Sequence, residues 1–144
     1  MPPQAALTPQ VRIVVLNYDS ANLVVPFGPS PRQVPIRPND TIQFQIGAST
    51  RAVQPGCKLR ITLHDSRNFS QKTLQHSPAQ TGAEDLTVTV LPGLEDALAG
   101  LPAPTNHVIT AYKCELLDAN GQPIPGLFSD GSDGGEMVPD SVGN

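Results

Sequence analysis

The chain has 144 residues, within the range of roughly 100 to 200 usual for one domain, so a single core is expected. Its 16 prolines and 12 glycines interrupt any long helix, and with no Trp and only 4% aromatic residues the core must be filled by Leu and β-branched side chains, which argues against an aromatic-lined ligand pocket. Nine Lys and Arg against 13 Asp and Glu leave a net charge of −4 that repels a phosphate backbone, and the one basic stretch, Arg51, Lys58, Arg60, Arg67 and Lys72, has no interleaved aromatics and reads as solvated surface, so no nucleic-acid partner is expected.

No apolar run approaches the ~20 residues that span a bilayer, so no membrane span is expected. Met1-Pro-Pro-Gln opens without the basic and apolar segments of a signal peptide, which makes a soluble, cytoplasmic protein the default expectation. Residues 1–9 read as an extended arm. Val11 to Leu16 is the first apolar run able to enter a sheet, and Leu23-Val24-Val25 follows a turn at Asn17, Asp19 and Ser20. Pro26, Gly28, Pro29 and Pro31 then predict an extended loop without regular pairing.

The period-two signal is clear over Thr41–Ile46, where Ile42, Phe44 and Ile46 share a face opposite Thr41, Gln43 and Gln45. In the strand at Lys58 to His64 it predicts Leu59, Ile61 and Leu63 inward, with Lys58, Arg60, Thr62 and His64 facing water. Leu86 to Val90 repeats the pattern, and from Val108 to Leu116 the even positions Val108, Tyr112, Cys114 and Leu116 make the core face. One wet and one dry face suits antiparallel sheets. Leu94, Leu98 and Leu101 predict a short helical connection between Leu91 and Pro102, and Asn120-Gly121 predicts a hairpin whose returning segment is marked as an edge by Pro123 and Pro125. The sandwich is thus expected over residues 10–128, followed by an acidic, Gly-rich tail over 129–144 unless Glu136 to Val138 adds a last strand.

Tyr112-Lys113-Cys114 resembles the Tyr-x-Cys at the tyrosine corner of the immunoglobulin family, and that resemblance implies a sandwich in which the Tyr112 hydroxyl bonds to nearby backbone. Together with the recurrence of strands between turn signals, it points to an all-β fold: a Greek-key, immunoglobulin-like β-sandwich of roughly seven to eight strands with one short helical connection. Alternation turns both Cys57 and Cys114 inward. If their strands lie on facing sheets, a Cys57–Cys114 disulfide is possible; two buried free thiols is the alternative.

Val34-Pro-Ile-Arg-Pro-Asn-Asp-Thr-Ile-Gln-Phe44 resembles the opening strand pair of cupredoxins. That family's blue-copper site joins two His and one Cys, and the resemblance makes His64, His107 and Cys114 the candidate ligands, although no His follows Cys114 within a short loop. Asp130 to Glu136 and Asp118 to Asn120 offer oxygen ligands without the order of an EF-hand, and read as a tail and an Asx-type turn. Asn39-Asp-Thr and Asn68-Phe-Ser fit the glycosylation acceptor pattern, which applies only to a secreted chain.

A nucleophile elbow, a phosphate-binding loop, a dinucleotide fingerprint and a metalloprotease helix are all missing from the sequence, so no enzyme, catalytic residue or cofactor is expected. The stretch from Asp65 to Asp85, about 20 residues without strand pattern, exceeds the usual loop length and is the candidate binding loop, with Phe69, Leu74 and His76. Its apolar pair, Phe69 and Leu74, either tucks onto the sandwich or offers a contact. The sequence therefore points to a non-enzymatic binding or assembly module that presents loops or an edge strand to a protein partner or to itself, with a cupredoxin-like metal-binding or electron-transfer domain as the alternative.

Overall fold

The computed structural model describes residues 9–17, 28–77, 79–81, 83–94, 108–130 and 135–139. Among them lie ten strands and one short helix in two sheets. Sheet A has the order β2-β1-β4-β7, from Gly28–Ser30, Val11–Asn17, Thr41–Ile46 and Leu86–Thr89. Sheet B has the order β3-β10-β8-β5-β6, from Gln33–Ile36, Gly135–Pro139, Thr110–Leu117, Lys58–Leu63 and Thr73–Gln75, and β9 (Pro123–Ser129) also pairs with β8.

The expected strand faces form where alternation is regular: Ile42, Phe44 and Ile46 of β4, Leu59, Ile61 and Leu63 of β5, and Tyr112, Cys114 and Leu116 of β8 are all buried in one core. Phe44 from sheet A meets Tyr112 from sheet B edge to face, with ring centroids 5.3 Å apart at 73°. Other expectations change. The proline-rich segment contributes β2 and β3, because Pro29 and Pro35 lie in short strands, each with one strand neighbour. The sheets are mixed and not purely antiparallel: β1 runs parallel to β4, and β3 parallel to β10. Both parallel pairs follow from the chain's change of sheet between β2 and β3 and again between β3 and β4.

The conditional last strand is present and lies inside sheet B, between β3 and β8, so residues 135–139 are part of the two-sheet body and not of a tail beyond residue 128. The helix α1 spans Ala48–Val53, a segment too short to display a helical period in sequence. Of the helical connection expected after Leu91, Leu94 is buried, while Leu98 and Leu101 lie outside the described residues, as does the run Leu23 to Val25. Lys58, expected in water, is buried beneath the 118–122 hairpin, and its Nζ donates to the Ala119 carbonyl at 2.8 Å. In that hairpin Gly121 adopts φ 84°, and the Asp118 carboxylate accepts from the backbone N–H of Asn120 and Gln122.

The chain passes from β3 in one sheet to β4 in the other through a tight turn, Arg37 to Asp40, with Asn39 at φ 71°. Asp40 is fully buried there. Its Oδ1 accepts from the Gln10 N–H at 2.8 Å, and its Oδ2 accepts from the Arg37 N–H and Arg12 Nε, both at 2.9 Å. Backbone bonds from Asn39 to Val90, Val90 to Asp40 and Thr41 to Gln10 tie β7 and β1 to the same turn. One carboxylate thus neutralises an arginine and satisfies donors from two segments at a sheet corner.

The tyrosine-corner expectation is corrected. The Tyr112 hydroxyl is buried and has no hydrogen-bond partner among the described residues, and burial pushes its phenol above the ordinary value. The ring is laid across β10, where a Cβ on Gly135 would stand 1.9 Å from Tyr112 Cζ, so packing and not hydrogen bonding fixes it. Two outcomes follow in urea denaturation. Asp40→Ala, which strands the backbone N–H groups of Gln10 and Arg37, lowers stability by about 3 kcal/mol. Tyr112→Phe, which deletes an unpaired buried hydroxyl, raises it by ~1 kcal/mol; a loss on Tyr112→Phe would mean the hydroxyl has a partner after all.

Candidate functional site

Of the proposed copper ligands, His64 and Cys114 are not brought together. The β5–β8 ladder pairs Ile61 with Cys114 and Leu63 with Tyr112, so alternation turns Cys114 into the core and His64 to the outer face. His64 is 46% exposed, with Nε2 2.6 Å from Asp130 Oδ1. His107 lies outside the described residues, as do residues 131–134 of the acidic stretch considered for calcium. Among the described residues no group of three or more His, Cys, Asp and Glu is placed to hold a metal ion.

The disulfide expectation is corrected too. Cys114 lies in β8 and Cys57 immediately precedes β5, the neighbour of β8 in sheet B, so the two are not on facing sheets. Cys114 stands opposite Ile61, which places Cys57 about 13 Å away along the ladder, beyond the roughly 4.4–6.8 Å between Cα atoms that a disulfide bridges. Both are free and buried. Burial pushes the Cys57 thiol up, against the opposing charges of Arg51 and Lys58. Burial also pushes Cys114 up to about 12, a rise that the Ser129 hydroxyl partly offsets and the Asp130 charge reinforces.

The candidate binding loop from Asp65 to Asp85 is built into the fold. Phe69 bridges to Val90, and β6 pairs with β5, so Phe69 and Leu74 are buried and tuck the segment onto the two sheets. His76 is buried as well, and its ring extends the sheet: Nδ1 accepts from the Leu59 N–H at 3.0 Å, and Nε2 donates to the Glu84 carbonyl at 2.5 Å. A backbone amide can only donate, so the proton of the neutral ring sits on Nε2. The three residues thus have internal roles and do not form a contact surface.

Two outer faces remain. On sheet B, Arg60 holds Glu115 through paired bonds of 2.8 and 2.9 Å, which keeps that carboxyl below its ordinary value. Lys113 beside them lies 5.6 Å from the ring centre of Phe128, which is 55% exposed. On sheet A, Val11 and Ile13 are 59% and 51% exposed, and Val15 is half-buried on the same face. They adjoin an uncharged wall of Thr41, Gln43, Gln45, Thr87 and Thr89, with Asp85 at its rim accepting from Gln43 at 2.7 Å. This stripe was not singled out in sequence. Its signal was there: Val11 to Leu16 is apolar on both faces of one strand, more than a single core face requires.

Thiol chemistry tests the burial. Without reductant, Cys57 and Cys114 both react with a thiol reagent once the protein is denatured, and far more slowly in the native state. The raised native value of Cys114 has a definite sign: its contribution to stability is intact below the ordinary thiol value of 9.0 and is lost as pH rises towards about 12, because the unfolded chain ionises first. Cys114→Ala therefore flattens the alkaline fall in stability. No family model matches the chain, and neither a curated protein nor a solved structure matches it.

Proposed function

We propose that this domain is a non-enzymatic binding or assembly module that presents sheet surface to a protein partner or to a second copy of itself. The observation that carries this reading is the exposure of Val11 and Ile13 side by side on a regular strand, outside the buried core. Two β-branched side chains beside a half-buried Val15 make a contiguous apolar stripe on an uncharged wall, a surface that gains free energy when covered. The non-enzymatic part rests on where the reactive side chains sit. Cys57, Cys114 and His76 are buried, and His76 is spent on backbone partners. The scaffold is read as a Greek-key sandwich of immunoglobulin-like type. What supports that reading is the pairing of strands distant in sequence, β8 with β5 and β4 with β7; the parallel pairs depart from an all-antiparallel version.

Site-specific photocross-linking checks the module reading. A photoreactive side chain at Val11 or Ile13 is expected to yield one discrete adduct, with the same chain or with another protein. Placed at the exposed Lys72, it yields none. Equal labelling from both faces, or none from either, would sink the proposal.

A further inference from the structure

Resting on that reading, we infer that the partner is a second copy of this chain, joined by antiparallel pairing of the β1 edge across a two-fold axis. The β1–β4 ladder opens with the Thr41 N–H donating to the Gln10 carbonyl and closes with the Gly47 N–H donating to the Leu16 carbonyl. Even residues of β1 therefore turn their backbone groups towards β4, and odd residues turn theirs away. On that far side β2 covers β1 only from Val15, opposite Ser30, to Asn17, opposite Gly28. Among the described residues no strand pairs with the outward N–H and C=O groups of Val11 and Ile13.

The open window runs from Gln10 to Val14. Ser30 closes it at one end, and at the other Pro9 has no N–H to offer. It is symmetric about Arg12. An antiparallel copy centred on that residue sets Val11 opposite Ile13 of the second copy, and Ile13 opposite its Val11, each pair exchanging backbone hydrogen bonds. The two exposed side chains of each copy then meet across the axis on the outer face, where cross-strand β-branched pairs are favourable.

Charge points to a second copy as well. A chain of net charge −4 approaches itself most readily where it carries no charge, and the outward side chains nearest the window are Val15, Thr41, Gln43 and Gln45. Arg12, which would sit at the axis, is neutralised within its own chain by Asp40. So short a window buries well under the roughly 1,200–2,000 Å² of a stable complex, so the association is weak and depends on concentration.

Sedimentation equilibrium of the full chain over a wide concentration range tests this. The mean mass is expected to climb from 15.2 kDa towards twice that value. Val11→Pro, which deletes one outward N–H at a strand start without touching the β4 ladder, and Ile13→Lys are each expected to weaken association about tenfold or more. Their far-UV spectra should match the parent. Should either variant fail to fold, amide exchange of the unaltered chain serves instead: Val11 and Ile13 become more protected as concentration rises. A mass fixed at 15.2 kDa, or association indifferent to both substitutions, overturns self-pairing. If a cross-link from Val11 to a different protein persists under that outcome, the module reading stands with another partner; without it, both readings fall.

Discussion

The carboxylate of Asp40 sits where the chain crosses from one sheet to the other, and the positions of several strands follow from it. The turn needs a left-handed residue, supplied by Asn39, and an acceptor able to take donors from opposite directions, supplied by Asp40. Because the same group binds the Gln10 N–H and Arg12, it fixes where β1 begins. Through the ladder from Thr41 to Gln10 it also sets the register of β1 on β4. A one-residue slip there would turn Val14 and Leu16 out of the core and bring Val11, Ile13 and Val15 in.

The packing of sheet B depends on a different kind of constraint. Tyr112 brings a large ring into the core at the point where β10 joins β8, and only a residue without a side chain can lie opposite it. The ring pays with an unpaired hydroxyl and gains an edge-to-face contact with Phe44 that joins the two sheets. Close by, Cys114 is buried in the same face of β8 with its thiol held un-ionised. The interior thus holds a few polar atoms in apolar surroundings, an environment that keeps sulfur and phenol un-ionised.

Several side chains that could have served as contacts are spent inside the fold. His76 substitutes for a backbone group in the sheet, Phe69 and Leu74 anchor a long connection, and Lys58 supports a hairpin. Each could have been a contact or a catalyst by residue type alone. Among the described residues, the fold leaves an apolar stripe together with a strand edge on β1 that no described strand pairs, two properties that suit addition of another strand.

Local alternation in sequence determined which residues of β4, β5, β7 and β8 line the core, because a period of two is a property of the strand itself. Turn chemistry at Asn120-Gly121 likewise marked the hairpin before any packing was known. Four features were decided only by tertiary structure. The tail strand became the middle of a sheet, since Gly135 and Pro139 leave Met137 as the one apolar side chain on its inner face, too little to show a period, but the segment finds two waiting neighbours. The cysteines fell on one sheet and not on two, because strand order is set by how the whole chain packs and not by either strand's pattern. His76 became structural through the accident of a backbone N–H and a carbonyl on either side of it. Among the described residues, the edge of β1 beyond Val15 is left open because β2 ends opposite Val15 and the chain leaves for the other sheet, a departure that no residue of β1 encodes.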